Sequence, residues 1–312
     1  MDPLERYKTL IDDMTAFRDA CNRPLPSVVR VNTIKTATEH AQDALEETNT
    51  EYEPIEWHPG LFKLTTHSPG TLWSYFHGWL HGQEEVSVLP ALAVDPDPGD
   101  IVWDACAAPG SKTTQLAALM DDTGVLIGND NNLGRLSALR HNAERLGVTN
   151  LAVTNQDARN FSFKPFGDRT ERTTRIEAFD HALVDAPCSC EGTIRKNPDA
   201  FEQWSYEHVM SVVAIQKAIL RRAVQATRPG GTVVYSTCTF APEENENVVN
   251  HVLDSESCRV VSWDPPAEFK TIPGITQWRN EEYDSSMELT HRVYPHHNDT
   301  GGFFCAKLEV TS

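Results

Sequence analysis

Lysine is scarce in this 312-residue chain. Nine lysines stand beside eighteen arginines, and 45 aspartates and glutamates outnumber the 27 basic residues, for a formal charge of −18. Such a balance argues against a polyanion as partner, because neutralising phosphates takes Lys and Arg. Acidic, lysine-poor chains also arise by adaptation to molar intracellular salt, where screening cuts the Debye length to about 3 Å and self-repulsion is tolerated. A halophilic origin is therefore expected. Long apolar runs are missing too: no stretch approaches the roughly 18 residues of a membrane span. The opening Met-Asp-Pro-Leu-Glu-Arg lacks the basic-then-apolar order of a signal peptide, so a cytoplasmic location is expected. The seven cysteines, Cys21, Cys106, Cys188, Cys190, Cys238, Cys258 and Cys305, include no Cys-x-x-Cys pair. An odd, scattered set without an export signal predicts neither disulfides nor a four-ligand structural zinc site.

What is present is an ordinary globular composition, 39% apolar and 23% charged, in a chain long enough for two domains. Residues 1–85 read as a small α+β unit: a helix carrying Leu4, Tyr7, Leu10, Ile11 and Met14, a strand over Ser27–Ile34, a helix over Ala37–Glu47 and a strand over Phe62–Thr65. A turn-rich joint, Val94-Asp-Pro-Asp-Pro-Gly-Asp100, lies just inside the second unit, residues 86–312. There strands alternate with helices, the signature of a parallel sheet. Strands are expected at Ile101–Asp104, Val125–Asp130, Leu151–Thr154, His181–Asp185 and Thr232–Ser236. Helices fall at about 112–120, at 136–146 with closure at Gly147, at 206–227, and from Pro242, with Glu243 and Glu244 in its first turn. Cys258–Trp263 and Gly302–Val310 form a closing strand pair. The fold class is α/β.

Three clusters stand at the carboxyl ends of expected strands, where open α/β sheets bind ligands. The first is Asp104-Ala-Cys106-Ala107-Ala108-Pro109-Gly110-Ser111-Lys112-Thr. Small residues and a Pro-Gly turn before a helix let backbone approach a ligand closely, and the Gly-x4-Gly-Lys spacing of a Walker loop is absent. Asp130 ends the next strand, where a carboxylate can accept from a ribose diol, and Asp157 follows the third, placed to meet an adenine amino group. Together they suggest an adenosine-containing cofactor. The second cluster is Asp185-Ala-Pro-Cys188-Ser-Cys190-Glu191-Gly-Thr-Ile-Arg195-Lys196-Asn197-Pro198, and the third Tyr235-Ser-Thr-Cys238-Thr-Phe-Ala-Pro. Two cysteines, each just after its own strand, can face one crevice. Cys238 precedes the expected helix from Pro242, whose N-terminal field would lower a thiol pKa.

These clusters closely resemble the RNA cytosine-5 methyltransferases of the Nop2/Sun class, with motifs near Asp-x-Cys-Ala-Ala-Pro-Gly-Gly-Lys-Thr, Asp-x-Pro-Cys-Ser-Gly and Ser-Thr-Cys-Thr. The resemblance extends to Arg30-Val-Asn-Thr-Ile-Lys35, Gln83-Glu84 and Gly301-Gly-Phe-Phe304, so it covers nearly the whole chain. Ser111 and Cys190 depart from it, each replacing a glycine. The resemblance implies a Rossmann-like class I methyltransferase sheet behind an N-terminal RNA-docking domain. It implies S-adenosylmethionine as cofactor, held by Cys106–Lys112, Asp130, Asp157 and Asp185. Cys238 would be the thiolate that adds to carbon 6 of cytosine, and Cys188 would assist release. Asp185 would bond the cytosine edge, and Lys112 would contact the base. The base must be single-stranded or flipped out.

Charge distribution bears on the RNA. Residues 131–200 carry ten basic against nine acidic residues (Arg135, Arg140, Arg145, Arg159, Lys164, Arg169, Arg172, Arg175, Arg195 and Lys196 are the basic ones). Arg195, Lys196 and Asn197 directly follow the second cluster and are expected to reach RNA. The segment from Glu191 to Asn197 and the compact length resemble archaeal tRNA-modifying members, so tRNA is the expected substrate, rRNA the alternative, and the enzyme a monomer. A non-catalytic RNA-binding relative would be expected to have lost a cysteine or a cofactor acid, and none is missing.

Overall fold

The computed structural model describes residues 3–65, 68–162, 178–198 and 204–311. At the N-terminus local capping overrides helical periodicity. In place of one helix there is a 3-10 turn, Pro3–Tyr7, and a helix α1, Met14–Cys21. The break lies at Asp13, whose carboxylate accepts from the backbone N–H groups of Thr15 and Ala16 and starts α1 afresh.

The chain then forms β1 (Ser27–Val31), α2 (Thr38–Glu47), β2 (Tyr52–Pro54), β3 (Leu61–Leu64), α3 (Trp73–Phe76) and β4 (Leu80–Gly82). The strands pair antiparallel in the order β2-β3-β1-β4. Helix α2 buries Ala41 and Leu45 against Val29, Phe62 and Leu80. Helix α1 packs elsewhere: Phe17 meets the rings of Phe240 and Tyr294 edge-on at 5.2 and 6.0 Å. Burying one such ring stabilises by roughly 1.5–3 kcal/mol, so residues 3–21 are anchored on the second half of the chain.

After α4 (Leu89–Val94) come β5 (Ile101–Asp104), α5 (Ser111–Leu119), β6 (Val125–Asn129), α6 (Leu133–Leu146), β7 (Leu151–Thr154), β8 (Phe179–Asp185), α7 (Tyr206–Ala226), β9 (Thr227–Thr237) and α8 (Glu246–Ser255). The rest is β10 (Cys258–Val260), β11 (Ile272–Pro273), β12 (Gln277–Trp278), β13 (Glu281–Glu282), β14 (His291–Val293), α9 (Pro295–Asn298) and β15 (Phe303–Val310). The main sheet runs β11-β14-β15-β9-β8-β5-β6-β7, with β10 on β15. From β7 to β9 the pairing is parallel; β15 is antiparallel to β9, and β14 is antiparallel to β15. Strand order reverses beside β5, which places a ligand crevice at the carboxyl ends of β5, β8 and β9. Among the described residues no helix is long and apolar enough to cross a membrane.

The helix expected from Pro242 starts only at Glu246. Tertiary bonds claim the intervening side chains. Glu243 pairs with Arg6 at 2.6 Å, Glu244 accepts from Ser189 N–H and Gln216, and Asn245 Oδ1 accepts from Thr237 Oγ1. Asn245 sits at φ −103°, ψ −98°, outside the helical region.

Two motif segments tie the small sheet to the large one. Arg30, wholly buried, donates from Nε to Gln83 Oε1 at 2.8 Å and from a terminal nitrogen to Thr114 on α5 at 3.3 Å. Asn32 Nδ2 donates to the carbonyl of Leu146, at the end of α6, at 2.7 Å.

Candidate active site

The β5–α5 loop is built for close approach. Gly110 has φ +110°, and a Cβ there would meet Leu139 Cδ1 at 2.8 Å, so only glycine fits. Thr113 Oγ1 donates to Asp104 Oδ2 at 2.7 Å, and burial pushes the Asp104 carboxyl up to about 7. Ser111 Oγ lies 3.0 Å from His81 Nε2, and His81 Nδ1 faces an Arg145 N–H at 2.8 Å. Burial, then Arg30 and Arg145, lower the His81 pKa to about 3. The ring is therefore neutral, accepts at Nδ1, and donates from Nε2 to Ser111. The serine that replaces a loop glycine thus receives a bond from the N-terminal sheet.

Lys112, in the first turn of α5, donates from Nζ to Asp185 Oδ2 at 2.8 Å, and Ser236 Oγ donates to Asp185 Oδ1 at 2.9 Å. Burial works against the lysine's charge, but the Asp185 carboxylate and its hydrogen bond outweigh it and raise the pKa. A fixed cation stands at the end of β8.

Because β8 and β9 are parallel neighbours, Cys188 and Cys238 leave the sheet at the same edge. Their sulfurs are 3.3 Å apart, and Cys190 Sγ is 3.9 Å from Cys188 Sγ. Gly192 N–H donates to the Cys238 carbonyl at 2.9 Å and binds the two loops together. The contacts of Cys188 with Cys190 and Cys238, then burial, hold its thiol well up. The Cys188 contact draws the Cys238 pKa down, but Cys190, burial and the Asp185 charge outweigh it, so this thiol too is raised. The expected lowering by a helix N-terminus is corrected: α8 begins at Glu246, too far along the chain for a field that fades within one turn. The contacts of Cys190 with Cys188 and Cys238 draw its own pKa down.

These groups line one cavity of 570 Å³, which Cys106, Asp130, Asp157, Asp185, Cys188 and Cys238 share. Ala107, Ala108, Gly110 and Ser111 line an adjoining cavity of 200 Å³, while Cys106, Pro109, Lys112 and Asp185 face both. Asp130 is 3% exposed, pairs with Arg135 at 3.3 Å and lines the larger cavity together with the apolar Pro187, Ile215 and Ile219. A carboxylate acceptor facing aliphatic walls suits a ribose diol joined to a flat base. Asp157 reaches the same space, but Arg159 grips its carboxylate through Nε at 2.9 and 3.0 Å, so an amino group bound there competes with Arg159.

Of the three residues expected to reach RNA, Arg195 does not. Its side chain is 1% exposed and donates to the carbonyls of Arg23, Pro24 and Thr300 and to Asp299 Oδ1. It is a buried tie between loops. Lys196 and Asn197 are exposed, and Lys196 faces both cavities. Lys164, Arg169, Arg172 and Arg175 lie outside the described residues.

Glu84 had no role assigned from sequence. It faces both cavities, and its Oε1 accepts from Gly301 N–H at 2.8 Å. Burial pushes its carboxyl up. The signal was an acid beside Gln83 ahead of an apolar segment. Glu191 accepts from Tyr7 Oη at 2.6 Å, from Thr239 Oγ1 at 3.0 Å and from Trp204 Nε1, which fixes the loop that carries Cys190. Phe303 faces the cavity with its ring centroid 5.5 Å from Lys112 Nζ.

Residues 91–309 match the family model described as 16S rRNA methyltransferase RsmB/F. The ribosomal RNA small subunit methyltransferase F of Aliivibrio salmonicida is 37% identical over 307 residues, 96% of this chain and 61% of that protein. The chain thus spans about three fifths of such relatives. The tRNA (cytosine(49)-C(5))-methyltransferase of Pyrococcus abyssi is 36% identical over 308 residues, 98% of this chain and 94% of that one. A solved methyltransferase homolog from Pyrococcus horikoshii superposes with a TM-score of 0.81 at 28% identity, covering 99% of this chain and all of that one. The sheet is of the class I methyltransferase type, and the chain belongs to the RsmB/F methyltransferase family.

Proposed function

We propose that the protein methylates carbon 5 of cytosine in RNA, with tRNA as substrate and S-adenosylmethionine as cofactor. The observation that carries this reading is the 3.3 Å approach of Cys188 and Cys238 at adjoining strand ends, in a cavity that also holds the Lys112–Asp185 pair. S-adenosylmethionine, when bound, supplies the methyl group. Asp130 would accept from its ribose, and Asp157 with the aliphatic side chains that line the cavity would hold its base.

Carbon 5 of cytosine is too electron-poor to take a methyl group unaided. The Cys238 sulfur adds to carbon 6, and the C5–C6 π pair makes carbon 5 the nucleophile. Asp185 accepts from the exocyclic amino group, while Lys112 stabilises the negative charge that the addition places on the ring. Once carbon 5 carries the methyl group, its proton passes to solvent, the C–H pair re-forms the C5–C6 double bond and the Cys238 sulfur leaves with the C6–S bonding pair. Cys188 assists that last step. Both thiols are raised at rest, so Cys238 passes its proton to solvent as its sulfur adds to carbon 6.

The choice of tRNA is supported by the 36% identity over 308 residues with the Pyrococcus abyssi protein. rRNA remains the second reading, favoured by the family description. The test is transfer of labelled methyl from S-adenosylmethionine to purified tRNA, rRNA and DNA. Incorporation into tRNA alone bears the proposal out, rRNA alone moves it to the second reading, and none in any of them makes the chain a non-catalytic relative.

A further inference from the structure

Cys190 is the least expected side chain in the cavity. Its backbone lies at φ +60°, the left-handed region that glycine enters freely and that strains a residue bearing a Cβ. Strain of this kind at a cavity wall points to use of the side chain, and what it brings is a third sulfur. Cys190 Sγ is 3.9 Å from Cys188 Sγ, Cys188 Sγ is 3.3 Å from Cys238 Sγ, and all three sulfurs lie within 4.8 Å of one another. Sulfurs bound tetrahedrally to one zinc ion at ~2.3 Å sit about 3.8 Å apart. Shifts of no more than about 1 Å bring the three around a common point. All three line the 570 Å³ cavity, which leaves its open side for a water as fourth ligand. A set of sulfurs alone selects a soft or borderline cation. The other cluster of this kind among the described residues, Asp12 with His296 and His297, has its carboxylate within 3.7 Å of the Lys270 ammonium, which disfavours a cation.

We propose that Cys188, Cys190 and Cys238 form a three-thiolate site for a soft divalent cation such as Zn²⁺, and that its occupancy reversibly shuts off methyl transfer. Each thiol passes its proton to solvent as its sulfur donates a lone pair to the ion. Three S–H bonds are exchanged for three Zn–S bonds with no change of oxidation state. The inhibition rests on the proposed function, since the ion takes the lone pair that Cys238 needs; the binding does not.

The test uses the full chain, freed of metal and kept reduced. Zn²⁺ is titrated in competition with a chromogenic chelator, without RNA or cofactor, and methyl transfer is followed over the same concentrations. One ion per chain is expected, with inhibition at the same midpoint and recovery on adding chelator. Co²⁺ in its place should give an intense sulfur-to-metal charge-transfer band. Cys190→Gly, which suits the backbone, and Cys190→Ser, which keeps the size, should each weaken binding at least tenfold, because even the loss of a partner behind a ligand costs about 10–100-fold. Zinc bound as tightly by either variant as by the unchanged protein overturns the proposal. A protein that methylates no RNA but binds zinc through Cys190 upholds the site and sinks the proposed function, and the converse result does the reverse.

Discussion

Cys188 Sγ lies 3.3 Å from Cys238 Sγ, although fifty positions separate the two in the chain. Parallel pairing of β8 with β9, in register from His181 opposite Thr232 to Asp185 opposite Ser236, brings them together. Two thiols in contact can divide one covalent cycle, with one forming the bond to the base and the other helping to break it.

Replacing Cys238 by Ala should cut methyl transfer by at least about a thousandfold, the order seen when a covalent nucleophile is removed. It should also abolish any RNA–protein adduct. Single-turnover assays with labelled cofactor measure the first effect. Retained turnover would remove Cys238 from its role.

Arg195→Ala and Lys196→Ala should behave differently despite being neighbours. Loss of Arg195 leaves three backbone carbonyls without their donor and removes the shortest ion pair of Asp299, and should lower stability by about 3 kcal/mol. Loss of the exposed Lys196 should leave the urea midpoint alone and reduce the salt dependence of RNA binding by about one phosphate contact. Equal effects on stability would contradict the placement of Arg195.

Burial raises the Glu244 carboxyl from its ordinary 4.5 to about 7, so the folded protein keeps this proton where the unfolded chain has lost it. The stability it contributes is full below pH 4.5 and falls as pH rises through 7. At 1.36 kcal/mol per pKa unit the swing is at most about 3 kcal/mol. Asp104 acts with the same sign. Glu244→Gln should therefore gain stability relative to the unchanged protein between pH 5 and pH 8, as read from urea midpoints. Parallel curves for the two proteins would contradict the buried, protonated carboxyl.

If the charge of −18 reflects adaptation to molar salt, the protein should gain thermal stability as KCl rises to about 1 M, where the Debye length is about 3 Å. Thermal melts across that range measure it. A protein equally folded and active in dilute buffer would show that its acidity has another origin.

The alternating strands and helices of the large sheet were legible because apolar runs such as Val102–Trp103 and Ala182–Val184 sit between turn residues. So were the three clusters at the strand ends. Strands β2 and β4, three residues each, are too short to show a period. The break before α1 and the turn at 242–245 were hidden because side-chain bonds to Asp13, Glu244 and Asn245 decided them. Arg195 read as an RNA contact because it directly follows the second cluster; only the fold shows that it turns inward. Likewise, the donation from His81 to Ser111 joins two sheets, and no sequence period reports it.

The division of labour between the thiols is tested most directly by mixing the Cys188→Ala protein with S-adenosylmethionine and its RNA, then running denaturing electrophoresis. Accumulation of an RNA–protein adduct that disappears in the Cys188→Ala/Cys238→Ala double variant is the predicted result. Normal turnover and release of methylated RNA by Cys188→Ala would contradict it and leave Cys188 a packing residue.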